Sequence, residues 1–115
     1  METTNLSQEI AKLHAELCSA LAEPTRLLLL YMLAEQPCTV TELAQKLEIP
    51  QPSVSRHLKV LRDGGLVRAT RHGASSQYEL TDRRVIEALD LLRSVLRDRI
   101  QHRANLIDEL AVPNS

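Results

Sequence analysis

Apolar residues Leu6, Ile10, Leu13, Leu17 and Leu21 recur every three or four positions, the spacing of a single helical stripe. Asn5 with Gln8 three residues on resembles a capping box, so the first helix is predicted over residues 5–21. Ala22-Glu23-Pro24 breaks the stripe, and proline suits the first turn of a second helix running to about Glu35. That segment is apolar on most sides, which predicts a buried central helix ended by Pro37. Thr39-Val40-Thr41-Glu42 has the form of a capping box and opens a short third helix, Val40 to Leu47, with Leu43, Ala44 and Leu47 inward. Ile49-Pro50-Gln51-Pro52 reads as a turn, because residues before proline are pushed out of the helical region. A fourth helix is predicted from about Pro52, burying Val54, Leu58 and Leu61 and stopping at Gly64-Gly65.

The pattern then shortens. Leu66 to Ala69 and Gln77 to Leu80 partly alternate, and the intervening Thr70 to Ser76 contains Gly73 and two serines. This predicts a β-hairpin with an extended, mobile tip. Thr81 is placed to cap a last helix from Asp82 to about Leu110, its stripe formed by Val85, Leu89, Leu92, Leu96, Ile100, Ile107 and Leu110. The expected fold is mainly α with a small β-hairpin. Two short helices joined by a tight turn form a helix-turn-helix unit, followed by the hairpin as a wing. The 115 residues suit a single winged-helix domain over residues 1–115.

Composition narrows the function. Tyr31 and Tyr78 are the only aromatics, which argues against nucleic-acid modules that stack bases on rings. No segment approaches the about 18 unbroken apolar residues of a membrane span. The N-terminus lacks the pattern of a signal peptide. Two cysteines, Cys18 and Cys38, make no disulfide framework, so a reduced, cytoplasmic protein with no membrane association is expected. The net charge of −1 is uninformative, but its distribution is not. Residues 51–84 hold Arg56, Lys59, Arg62, Arg68, Arg71, Arg83 and Arg84 against three acidic side chains, whereas residues 1–50 are acidic. The basic third coincides with the fourth helix and the hairpin, where phosphate contacts are expected.

On the fourth helix the inward residues leave Ser53, Ser55, Arg56, His57 and Lys59 to face outward, with Gln51 at the N-terminal end. Arginine forks onto guanine, serine and glutamine reach base edges or phosphates, and lysine neutralises phosphate. Arg68, Arg71 and His72 of the hairpin suit the minor groove or the backbone. Enzymatic chemistry has no support. Ser55 and His57 diverge on a helix, and no phosphate loop, HExxH or CxxC is present. A winged helix used only for protein–protein contact is the alternative, but it calls for an apolar or acidic fourth helix.

Residues 21 to 80 resemble the ArsR/SmtB-type family of bacterial winged-helix repressors. The resemblance rests on Glu23-Pro24-Thr25-Arg26, Thr41-Glu42-Leu43-Ala44, Gln51-Pro52 with Ser55-Arg56-His57-Leu58 and Leu61, and Gly65-Leu66-Val67. It implies a homodimer reading an inverted-repeat operator in double-stranded DNA and released by an effector. The dimerisation helices would be 5–21 and 82–110, with Leu6, Ile10, Leu13, Leu89, Leu92, Leu96, Ile100 and Ile107 at the interface. Helix length supports this independently: about 29 residues span roughly 43 Å, longer than so small a core covers. The alternative is a stripe packed wholly on the first helix of the same chain. Pro50 departs from the family, which often has a serine helix cap there.

The resemblance leaves the effector open. Thr39 and Thr41 stand where metal-sensing relatives carry paired cysteines, and the zinc pattern of the last helix is missing. Asp98 and His102, one turn apart, read as an ion pair rather than a metal site. Cys38 occupies the region where sulfide-sensing relatives carry one of two reactive cysteines, and Cys18 of the first helix is the other thiol here. Thiol sensing of a sulfur species, and metal or metalloid binding through the cysteines, stand beside a plain packing role.

Overall fold

The computed structural model describes residues 2–111, with side chains from 5 to 110. Up to Arg83 the chain forms α1 (Glu2–Leu21), α2 (Pro24–Glu35), β1 (Cys38–Thr39), α3 (Val40–Leu47), α4 (Gln51–Asp63), β2 (Val67–His72) and β3 (Ser75–Leu80). A separate unit follows, the single helix α5 (Arg84–Ala111). The three strands form an antiparallel sheet in the order β1-β3-β2.

Local chemistry accounts for most boundaries. Pro24 opens α2, where the Glu23 carboxylate accepts from the Arg26 backbone N–H at 3.0 Å. The capping box of α3 is complete: Thr39 Oγ1 accepts from the Glu42 N–H at 3.2 Å and Glu42 Oε1 from the Thr39 N–H at 3.0 Å. These bonds hold the Glu42 carboxyl below its ordinary range. At the end of α4, Leu66 N–H donates to Leu61 O and Gly65 N–H to Arg62 O, both at 2.9 Å. This double closure needs a left-handed residue, and Gly65 supplies it at φ +76°.

The core of this body is aliphatic. Leu29 and Leu30 of α2, Leu43 of α3, Val54, Leu58 and Leu61 of α4, Val67 and Cys38 are fully buried. Burying each leucine contributes about 2 kcal/mol against water. The expected inward faces of α3 and α4 are therefore present, although Leu47 is only half-buried.

Several expectations are corrected. Helix α1 begins at Glu2, so Asn5 lies inside it and caps nothing; no glycine or proline in residues 2–4 interrupts the helix. Helix α2 is not buried all round, since Leu28 is 53% exposed. Helix α4 starts at Gln51, with Pro50 as a cap that offers no side-chain bond and Pro52 within the first turn. The two-residue strand β1 was invisible in the sequence pattern; it pairs Cys38 with Tyr78 and Thr39 with Gln77. The wing has no long tip, because pairing runs out to His72↔Ser75 and leaves only Gly73 and Ala74 to turn. Gly73 takes φ +63°, as the first central position of a II′ hairpin turn demands.

Helix α5 starts at Arg84 rather than Asp82. The Thr81 hydroxyl, expected to cap it, donates to Gly65 O at 2.6 Å instead. Ile86 and Leu89 are buried, and from Asp90 to Leu110 every residue is exposed. At 28 residues α5 is about 42 Å long.

Candidate nucleic-acid interface

The buried stripe of α4 fixes which residues look outward. With Val54, Leu58 and Leu61 inward, helical geometry puts Pro52, Arg56 and Lys59 opposite, with Gln51 and Ser55 on one flank. All five are exposed. Ser53 is half-buried and accepts from Arg56 Nη2 at 3.2 Å, which steadies the guanidinium along the helix. Lys59 pairs with Asp63 one turn on, at 3.0 Å between two exposed side chains. Gln51 donates to Thr41 Oγ1 at 3.3 Å, joining the start of α4 to α3 across the turn.

His57 does not face outward as expected. It is half-buried, with Nδ1 3.4 Å from Arg26 Nη1 and 3.9 Å from Glu23 Oε2. Three positions after Val54 and four before Leu61, it lies on the flank of the buried stripe, a signal present in the sequence. Arg26 Nε also donates to Ala20 O at 2.6 Å and Nη2 to Ser19 O at 3.2 Å, both in the last turn of α1. Burial pushes the Glu23 carboxyl up, but the Arg26 N–H bond, with smaller help from charged neighbours and the Thr25 N–H, holds it below its ordinary range. This Glu23–Arg26–His57 group was not foreseen.

On the wing, Arg68, Arg71 and His72 are exposed but lie on β2, in strand pairing rather than in a loop. Arg68 sits opposite Glu79 and donates from Nε to its carboxylate at 2.8 Å, while Thr70 Oγ1 donates to the same oxygen at 3.3 Å. The Arg68 bond holds the Glu79 carboxyl below its ordinary range. Arg71 is on the other face of β2 and donates from Nε to Gly73 O at 3.4 Å. The wing thus carries one arginine tied by a carboxylate and one that keeps most of its donors for a partner.

The cysteines differ sharply. Cys18 is exposed, whereas Cys38 is fully buried on β1, its Sγ donating to Gln36 O at 3.4 Å. Burial pushes the Cys38 thiol up, away from the thiolate. Asp98 and His102 are exposed on α5, and among the described residues no three His, Cys, Asp or Glu side chains gather as metal ligands. No single described helix is long and apolar enough to cross a membrane.

Of the interface residues expected, Leu6, Ile10 and Leu13 on α1 and Leu92, Leu96, Ile100 and Ile107 on α5 are exposed. Leu89 differs from these, at 7% exposure. On α1, a groove of about 530 Å³ runs from Ile10, Leu13 and Leu17 to Asp63 and Gly64 at the end of α4.

A helix-turn-helix with a basic outward face, followed by a β-wing, defines a winged-helix regulator of transcription. The sequence signature of the bacterial regulatory protein arsR family matches residues 23–69. The chain is 38% identical over 79 residues to an HTH-type transcriptional regulator, MJ1325, of Methanocaldococcus jannaschii, covering 68% of this chain and 89% of that protein. It is 41% identical over 75 residues to the HTH-type transcriptional repressor SmtB of Mycobacterium tuberculosis, which covers 65% of this chain and only 56% of SmtB. Among solved structures it resembles the homodimeric winged helix-turn-helix DNA-binding domain of Mb0332 from Mycobacterium bovis. The TM-score is 0.76 at 27% identity, covering 84% of this chain and 89% of that one. The chain belongs to the arsR family of bacterial regulatory proteins, a family of transcription regulators and not of enzymes.

Proposed function

We propose that this protein is a homodimeric repressor that binds an inverted-repeat operator in double-stranded DNA and works in the cytoplasm. The observation that carries the reading is the outward face of α4, where Arg56 and Lys59 stand opposite the buried Val54, Leu58 and Leu61, with Ser55 exposed on the flank. Arg56 reads bases, Gln51, Ser53 and Ser55 assist at the helix N-terminus, and Lys59 neutralises phosphate. Arg71, with His72 and Arg68, serves the flanking backbone or minor groove. His57 acts from behind the helix.

Residues 1–115 act as one winged-helix domain, and residues 5–21 and 82–110 carry dimerisation. Two findings support a dimer. The related Mb0332 domain is homodimeric. The exposed leucines and isoleucines of α1 and α5 also form apolar surface that water disfavours. Two such chains set their recognition helices about one DNA turn apart, or a multiple of it.

Release would follow from an effector that favours another dimer geometry. A thiol-reactive sulfur species or a metalloid acting through Cys18 and Cys38 is one such effector. The exposure of Cys18 supports access, whereas Cys38 would react only after its strand opens. The test is the affinity of the reduced protein for its own upstream DNA, by fluorescence anisotropy, before and after polysulfide or arsenite. Tight, salt-dependent binding lost on treatment, but retained in Cys38→Ser, supports a thiol-switched repressor. Binding indifferent to both agents leaves the repressor without a thiol switch, and no specific binding favours a protein-contact module.

A further inference from the structure

We propose that Arg26 is a positioning residue for DNA recognition, tying the last turn of α1 to His57 and thereby setting the pose of α4. The proposal rests on the DNA-binding reading above. One guanidinium reaches three places: Ala20 O at 2.6 Å, Ser19 O at 3.2 Å and His57 Nδ1 at 3.4 Å. The first two are carbonyls in the last turn of α1, of which Ser19 O also accepts from the Ala22 N–H at 3.2 Å. Arginine has donors only, so this bond requires a neutral His57 that accepts through Nδ1 and carries its proton on Nε2. Glu23, which caps α2 through the Arg26 N–H, lies 3.9 Å from the same ring nitrogen, too far for a hydrogen bond.

What this adds is direction. The apolar contacts of Val54, Leu58 and Leu61 hold α4 against the body, but burial of apolar surface is non-directional and tolerates a roll of the helix about its axis. The Arg26–His57 bond restrains that roll from the flank. Reading a base edge with a bidentate arginine requires a fixed approach. A roll would therefore misdirect Arg56 while leaving general attraction to phosphate intact. Because the other end of the link is the last turn of α1, a displacement of α1 would be passed to the recognition helix by this side chain. Lysine in its place keeps the charge but not the planar fork that spans all three acceptors.

The test compares full-length wild type with Arg26→Lys, His57→Ala, His57→Asn and the Arg26→Lys/His57→Ala double variant. Affinity for a duplex of the protein's own upstream region and for a scrambled duplex is measured at several salt concentrations. Arg26→Lys and His57→Ala should each lower the ratio of the two affinities by about tenfold, and the double variant no further than either. His57→Asn, which keeps an acceptor near the position of Nδ1, should restore most of the ratio. The salt slope should stay that of wild type in all, since no phosphate contact is removed. Long-range proton–nitrogen spectra of the His57 ring should show the Nε2–H tautomer, with Nδ1 shifted in Arg26→Lys. An Nδ1–H tautomer, additive losses, or full discrimination in Arg26→Lys would each overturn the proposal. A reduced salt slope in His57→Ala would do so too, by making His57 a DNA contact. Should wild type itself fail to discriminate its upstream DNA, the DNA reading falls and the positioning role with it. The ring spectrum would still report whether the Arg26–His57 bond exists.

Discussion

Arg56 and Arg71 are both exposed arginines in the basic third of the chain, yet their surroundings assign them different work. Arg56 projects from the helix face opposite three buried neighbours and is steadied by Ser53. Arg71 projects from the end of a hairpin and holds a long bond to Gly73 O. Arg56→Ala should therefore lose about 1–3 kcal/mol of discrimination between operator and other sequences. Arg71→Ala should weaken all sequences alike and reduce the salt slope by about 1. Anisotropy titrations on two duplexes over a range of salt separate these outcomes, and equal, sequence-independent losses would remove the distinction. Arg68 already serves Glu79, so its substitution should disturb the wing as well as any phosphate contact. The division between Arg56 and the wing is legible in the sequence, but the division between Arg68 and Arg71 is not. It depends on which residue stands opposite on β3.

At the scale of the element, boundaries followed local chemistry wherever that chemistry was complete. Thr39 and Glu42 spell out the start of α3, and both halves of their capping box are made. Thr39→Ala should cost about 1 kcal/mol, read as a lower denaturant midpoint at neutral pH. Because the Glu42 carboxyl is held below the usual glutamate value of 4.5, its contribution is present above that value and lost as pH falls through the folded-state value. The gap between wild type and Thr39→Ala should therefore narrow in acid; a gap constant with pH would place the loss elsewhere. The glycine pair after α4 divides in the same physical way. Gly65 stands at φ +76°, so Gly65→Ala should destabilise by about 1 kcal/mol or more. A Cβ on Gly64 would meet only ordinary contacts, the nearest Val60 O at 3.5 Å, and Gly64→Ala should be close to neutral in thermal unfolding. Where the expected signal failed, as at Thr81, a distant acceptor had claimed the side chain: its hydroxyl bonds Gly65 O, 16 residues earlier.

For the whole molecule, the exposed stripe of α5 and the apolar face of α1 are the features a lone chain leaves unexplained. If they join two copies, Ile100→Glu and Leu13→Glu should each shift sedimentation toward the monomer and weaken operator binding far more than half-site binding. Unchanged sedimentation would send both surfaces to another partner. The sequence by itself determined the order of helices, the turn between α3 and α4, the glycine stop and the hairpin. Each is encoded within a few residues, by a proline, a cap, a glycine or a periodic stripe. Only the tertiary structure decided that Cys38 is buried, because its strand exists through pairing with Tyr78, 40 positions away. It alone put Arg26 beside His57, since helix periodicity gives the flank on which the ring lies but not what packs against it.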